Sequence, residues 1–291
     1  MDSKLDLYIE QVNNEHLKEA DPNPLYVESL ADYVSAIEAI SLLYPAERYY
    51  RGQPDYDMEI TSSAFRQLAQ SSLTSEKMHD YHLQLLSGAR KLADVEKFSD
   101  MNLIAHMQHY GAKTFLIDYS KNPVVSLWMA CISHPDYNGV VYFFKRDAIA
   151  PIEEKEDVKL DVLFAEPDSD KVYRFQPTSD NRRILNQQSV FLFTPNGKMN
   201  KEDHIHIIVP KAKKRQILTQ LELINVDGMS LFPDFHGFIA WYQFNAYATN
   251  VSAFDKCLRS AKELRKRKKF AFAEKKYNGS DSIKSRCNWY V

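Results

Sequence analysis

The stretch His106 to Phe144, HMQHYGAKTFLIDYSKNPVVSLWMACISHPDYNGVVYFF, constrains the fold more than any other part of the chain. Leu103, Ile104, Met107 and Tyr110 recur at helical spacing, and Gly111 follows as a residue free to take the left-handed conformation that closes a helix. Thr114 to Ile117 is a short apolar run of β-formers, so it predicts a strand. Asp118, Ser120 and Asn122 then precede Pro123, the arrangement of a helix cap and first turn. Val124, Leu127, Trp128 and Cys131 return at helical spacing, Asp136 to Gly139 supply a turn, and Val140 to Phe144 reads as a buried strand. This unit places Asp118, Tyr119 and Ser120 at the exit of a strand, a position where sites form.

Residues 1–24 read as a polar lead-in, a short helix or loose segment. Val27, Leu30, Val34, Ile37, Ile40 and Tyr44 predict an amphipathic helix entered through Pro24 and ended by Pro45. Glu47 to Tyr50 predicts a strand that stops at Arg51-Gly52-Gln53. Thr61 to Phe65 opens a short helix carrying Arg66, and Ser75 to Phe98 reads as one long helix. Pro151 to Pro167 is a charged surface excursion; strands are expected at 172–175, 189–193 and 205–209, and Pro210 opens a helix facing Ile217, Leu218 and Leu221 inward. Lys211, Lys213, Lys214 and Arg215 crowd its first turns against the helix dipole, a cost unless acidic groups or an anion lie near, or the charges are solvated. A last helix, Phe238 to Tyr247, closes the domain near Phe254. The order of elements predicts a single α+β domain over 25–254, with a central mixed or antiparallel sheet of five or six strands surrounded by helices.

No run is long and apolar enough for a membrane span, and the N-terminus has no basic start before an apolar core, so neither membrane insertion nor secretion is expected. Cys131, Cys257 and Cys287 are scattered, which points to a reducing, cytoplasmic setting and against a zinc site. His79 and His82 sit three apart, as do His106 and His109, but no further ligand stands at metal spacing, so no metal is expected. The chain contains no Walker loop, GxGxxG, GxSxG or HExxH, which removes P-loop hydrolysis, Rossmann binding, α/β-hydrolase chemistry and zincin proteolysis. The last segment, 255–291, is a basic tail: from Lys256 on, twelve Lys and Arg stand against three acidic residues, while the body is acidic. Its Arg265, Lys266, Arg267, Lys268 and Lys269 suit either a solvated or docking helix or contact with nucleic acid.

Tyr50-Arg51-Gly52-Gln53, Ser62 with Arg66, Gln108-His109-Tyr110-Gly111, Leu116-Ile117-Asp118-Tyr119-Ser120 and Asn122-Pro123, together with Arg183, Gln187 or Gln188, Phe191 and Leu231-Phe232-Pro233-Asp234, resemble the FRG domain family, named for its Phe/Tyr-Arg-Gly motif. The resemblance covers about residues 25–245 and implies a bacterial or phage protein, in some members one found in toxin or defence settings. Polar residues from these separate junctions are expected to line one cleft. Arg51, His109, Asp118, Ser120 and Gln187 would be its chemical groups, and Tyr50, Gly52, Gln53, Tyr119, Asn122, Arg183 and Gln188 its binding groups. A Tyr-Arg-Gly strand followed by a Ser-containing strand leading into a helix is also similar to ADP-ribosyltransferases, whose arginine grips NAD, so NAD is the implied substrate and no other cofactor is expected. At the matching late strand this chain has Gln187 and Gln188 rather than a glutamate, so a recognition module that senses a nucleotide or nucleic acid is the alternative. A purely structural bridge between Arg51 and Asp118 is a further reading.

Overall fold

The structure is a computed structural model that describes residues 4–16, 24–68, 75–92, 98–145, 149–152, 159–165, 171–177, 182–234, 237 and 239. The expected helix at 238–247, the closure near Phe254 and the basic tail lie outside the described residues. The chain divides into two compact units, residues 1–227 and 228–291.

Among the described residues the first unit holds helices α1 (Lys4–His16), α2 (Leu30–Leu43), α3 (Ser63–Leu68), α4 (Ser75–Ala89), α5 (Asp100–His109), α6 (Pro123–Cys131), α7 (Leu160–Leu163), α8 (Arg182–Gln187) and α9 (Lys214–Glu222). Its strands are β1 (Leu25–Tyr26), β2 (Tyr50–Gln53), β3 (Ile60–Thr61), β4 (Ile117–Ser120), β5 (Gly139–Phe144), β6 (Ile149–Ile152), β7 (Val172–Phe175), β8 (Ser189–Phe193), β9 (Lys198–Met199) and β10 (His204–Val209). The second unit holds α10 (Gly228–Leu231), and beyond it Asp234 Oδ1 accepts from the Gly237 N–H.

The protein is α+β, and its central mixed sheet has eight strands in the order β1-β10-β5-β2-β4-β8-β7-β6, beside a small β3–β9 pair. The sequence predicts five or six. The strands it misses lie at the two edges: β1 is two residues long beside the entry to α2, and β6 contains Pro151, which lacks a ladder donor and is tolerated at a sheet edge. These edge pairings are parallel, while every pairing between β10 and β7 is antiparallel.

Side chains alternate across the sheet. Ile117, Tyr119, Tyr142, Phe144, Val190 and Leu192 fill one core, and Phe191, Phe193 and Phe175 join α4 and α5 in another. α1 is more than a loose lead-in, since Tyr8 and Val12 are buried and Lys4 pairs with Asp32 of α2 at 2.6 Å. On α2 the buried face is Tyr33, Ala36, Ala39 and Ile40, turned away from the expected stripe, so that Val34 is exposed. α4 stops at Ala89 rather than running to Phe98, and Arg90 beyond it bonds Asp100 at 2.8 Å.

Lys214 resolves the charge crowded at the start of α9. Its ammonium is buried and donates to the carbonyls of Pro54, Ser133 and His134 at 2.5, 3.0 and 3.0 Å, while Lys213 pairs with Glu28. Burial pushes Lys214 down to about 8, opposed by the nearby Cys131 and Asp55.

Candidate functional site

The site grows from where two strands begin. Thr114 to Leu116 is not the start of β4, because its backbone is taken by helices: the Thr114 carbonyl accepts from Ala64 N–H at 3.0 Å, its N–H donates to Ser63 Oγ at 3.1 Å, and the Phe115 N–H donates to His82 Nε2 at 3.1 Å. The strand therefore starts three residues later than predicted, and Asp118, Tyr119 and Ser120 lie inside it. β2 is likewise displaced forward, and Gly52 continues it rather than ending it. The glycine is required because α6 lies directly on it: a Cβ there would be 1.9 Å from the Ser126 carbonyl oxygen. α6 is fixed in turn by Asn122, whose side chain caps it from Val124 N–H at 3.0 Å, with Pro123 in its first turn. α5 ends as predicted, with Gly111 at φ +92° and the Ala112 N–H returning to the Met107 carbonyl.

β2 and β4 share one registered pair, Tyr50 with Ser120, whereas each has four with its other neighbour. The sheet thus opens beyond Tyr50. Arg51, 7% exposed, reaches across the opening and donates from Nη1 to the Asp118 main-chain oxygen at 2.8 Å. Its bond is to the backbone and not to the carboxylate, so Arg51 and Asp118 do not form the bridge that their sequence positions allow. The buried Nε of Arg51 has no hydrogen-bond partner, an arrangement worth about 1–3 kcal/mol against the fold.

The Asp118 carboxylate is instead held by Gln108, whose Nε2 donates to Oδ1 at 2.9 Å. Gln108 Oε1 accepts from the Thr114 hydroxyl, which is buried. Enclosure by protein raises the Asp118 carboxyl, opposed by Arg51, by the Gln108 bond and by Arg183 and Arg66. Asp118 nevertheless keeps accessible surface, so water reaches it and the rise is smaller than full enclosure would give. The carboxylate is thus both crowded by charge and wet. Arg66, on α3, donates to the Thr61 carbonyl at 2.6 Å, and burial followed by the neighbouring Arg51 lowers it. Arg183 of α8 donates to the His109 carbonyl and ring Nδ1, both at 3.4 Å. Three guanidiniums therefore act on one carboxylate, an excess of positive charge that suits a phosphate or another anion.

The remaining expected residues take other places. Tyr50 is buried against Phe143, with ring centroids 5.5 Å apart. Tyr119 is buried and donates to His204 Nε2 at 2.8 Å, while His204 Nδ1 donates to the Asn200 carbonyl; burial lowers this histidine to about 3, so it is neutral. Gln53 is buried, with Nε2 on the Glu59 carbonyl. Ser120 Oγ donates to the Gln187 carbonyl at 2.6 Å and accepts from Asn122 N–H, which ties the end of β4 to the end of α8. The Gln188 carbonyl accepts from Lys121 N–H, and Gln188 is exposed at φ +46°. Arg51 and Arg183 thus act on Asp118, with Arg183 bonded to His109, while Ser120, Asn122 and Gln187 tie the end of β4 to α6 and α8, and Tyr50, Gly52 and Tyr119 are packing positions.

Gln108, Arg66 and Thr114 are members the sequence reading did not place in the site. Gln108 and Arg66 stand in the motif blocks of the resemblance, which assigns them no role, and Thr114 lies in an apolar run, so it is their action on Asp118 that marks them. The paired histidines are structural or surface groups: His82 bridges the Met78 carbonyl and Phe115 N–H, and His79 pairs with Asp161 at 2.8 Å. Among the described residues no cluster could hold a metal, and no helix is long and apolar enough to cross a membrane.

Residues 46–139 match the family model of the FRG domain, a span that contains Arg51, Arg66, Gln108, Thr114 and Asp118. No curated protein and no solved structure matches the chain.

Proposed function

We propose that the FRG domain at residues 46–139, completed by Arg183, binds an NAD-like nucleotide where the sheet opens between β2 and β4. The carrying observation is Arg51, a largely buried guanidinium at the point where the sheet opens, whose hydrogen bond goes to a main-chain acceptor and not to a carboxylate. A guanidinium so placed is ready for a phosphate, and Arg66 and Arg183 add to the same field. Asp118 would accept from a ribose hydroxyl. If the ligand is turned over, the reaction class is ADP-ribosyl transfer: the bond from the ribose anomeric carbon to nicotinamide breaks, the electron pair leaves with nicotinamide, and an acceptor nucleophile forms the new bond. Asp118 is the carboxylate available to stabilise the positive charge that develops. No glutamate stands beside Gln187 and Gln188, which favours sensing over transfer in this reading. A role in toxin action or phage defence belongs to the same proposal.

Calorimetric titration with NAD, ADP-ribose and pyrophosphate tests it. Wild type is expected to bind, and Arg51→Ala to lose binding of all three. Absence of heat with every ligand overturns the reading, and release of nicotinamide from NAD over hours would replace sensing by transfer. The charge asymmetry of the chain favours a second reading, in which the tail beyond 255 makes backbone contacts to nucleic acid.

A further inference from the structure

We propose that Thr114 and Gln108 are positioning residues that hold Asp118 with one carboxylate oxygen committed and the other presented to the ligand, so that the site selects a nucleotide sugar by its hydroxyl. This rests on the nucleotide reading above and deepens it.

A glutamine amide has a donor end and an acceptor end, and which end faces a carboxylate decides attraction or repulsion. The Asp118 carboxylate, which only accepts, takes the Nε2 end, and the Thr114 hydroxyl serves the other. The hydroxyl donates to Gln108 Oε1, and Nε2 donates to Asp118 Oδ1 at 2.9 Å. The hydroxyl is held at both ends, since its oxygen accepts from the Leu116 N–H at 3.2 Å while its proton goes to Gln108 Oε1. Thr114 is fully buried, and its backbone is locked to α3 through Ala64 and Ser63, so the relay starts from a rigid point. Gln108 lies at the end of α5, which Gly111 closes one turn further on.

The consequence falls on Asp118. Oδ1 is taken, and Oδ2 makes no hydrogen bond among the described residues while the residue keeps accessible surface. Arg51 hydrogen-bonds the Asp118 main chain and not its carboxylate, on which it acts only through its charge, and Arg66 and Arg183 bond to the Thr61 and His109 carbonyls. Oδ2 is thus an oriented acceptor beside three guanidiniums. A bare phosphate is drawn by the arginines and repelled by this oxygen; a phosphorylated sugar satisfies both, with its phosphate on the guanidiniums and a hydroxyl donated to Oδ2.

Thr114→Val, Thr114→Ser and Gln108→Leu test this in the full chain. Asp118 is followed by carboxyl NMR titration against Asp118→Asn as the assignment, and binding is read by calorimetry with ADP-ribose and with pyrophosphate. Thr114→Val and Gln108→Leu are expected to raise the Asp118 titration midpoint, because a donor to its charged form is lost or no longer fixed. Both weaken ADP-ribose about tenfold and leave pyrophosphate unchanged. Thr114→Ser, which keeps the hydroxyl, restores the wild-type values; a merely structural role of Thr114 would move stability without moving the titration or the ratio of the two affinities. A wild-type midpoint in Thr114→Val overturns the positioning role, and equal loss of both ligands overturns the selection of the sugar. If wild type binds pyrophosphate but not ADP-ribose, this inference fails while the anion site stands. If it binds neither, the nucleotide reading itself falls and takes the selection with it.

Discussion

Gly52→Ala is expected to be among the most damaging single-methyl additions this fold can receive. The added Cβ would lie 1.9 Å from the Ser126 carbonyl oxygen, 2.8 Å from Met129 Cβ and 2.9 Å from the Ala130 nitrogen. Two of these are main-chain atoms of α6, which no rotamer change can move aside. Relief requires the helix to retreat by about 1 Å or β2 to bow away. Neither is free, because β2 is paired along its whole length to β5, where Gly139 has its own tight contact: a Cβ there would be 2.2 Å from the Ala130 oxygen. α6 is therefore seated on two adjacent glycines. Overpacking a core costs about 1–3 kcal/mol when side chains can adjust, so a backbone clash at a central strand should cost about 3 kcal/mol or more. That is a large part of the ~5–15 kcal/mol that holds a typical domain. Urea unfolding followed by circular dichroism measures it, with Gly88→Ala as the control, since a Cβ at Gly88 meets nothing within 4 Å in a helix and should leave stability equal or higher by about 0.5–1 kcal/mol. A Gly52→Ala protein within about 1 kcal/mol of wild type at unchanged m-value would refute the packing argument.

Arg51→Ala should cost at most about 1–3 kcal/mol, since loss of the charge-assisted bond to a main-chain oxygen is partly offset by removal of the unpartnered Nε, and Asp118 keeps its Gln108 donor; thermal unfolding showing a loss of about 5 kcal/mol would contradict that geometry. His82 and His204 are buried and neutral, lowered to about 4 and about 3, so the unfolded chain binds more protons below its own histidine value near 6.5, and stability should fall as pH drops from about 6.5 toward 4. Replacing His82 with Gln, which can still donate to one carbonyl and accept from one N–H, should flatten part of that slope in urea titrations at stepped pH, and an unchanged slope would count against it. Removing residues 255–291 should lower affinity for DNA or RNA at least tenfold at low salt and reduce the salt slope, measured by fluorescence anisotropy; equal binding would leave the tail without that role.

What the sequence determines by itself is local. Gly111 ends α5 because the left-handed turn there needs it, and Asn122-Pro123 starts α6 because cap chemistry is carried by two adjacent residues. The strands at 172–175 and 189–193 stand where their apolar runs lie, and the strand read at 205–209 gains only His204. What the tertiary structure decides is which partner takes each backbone group. Thr114 to Ile117 has the composition of a strand, yet its first groups bond to α3 and His82, and so β4 begins at Ile117. Gly52 looks like a stop and is a seat for α6, because a close approach between distant segments leaves no mark at the glycine itself. β1 and β6 are strands only because β10 and β7 offer them edges. The site follows the same division. Arg51, His109, Asp118 and Arg183 could be assigned to the site from their motifs, whereas Gln108 and Arg66, though in the same motif blocks, and Thr114 took their roles only from geometry, since the orientation of an amide and the field of a guanidinium depend on neighbours that the chain brings together only on folding.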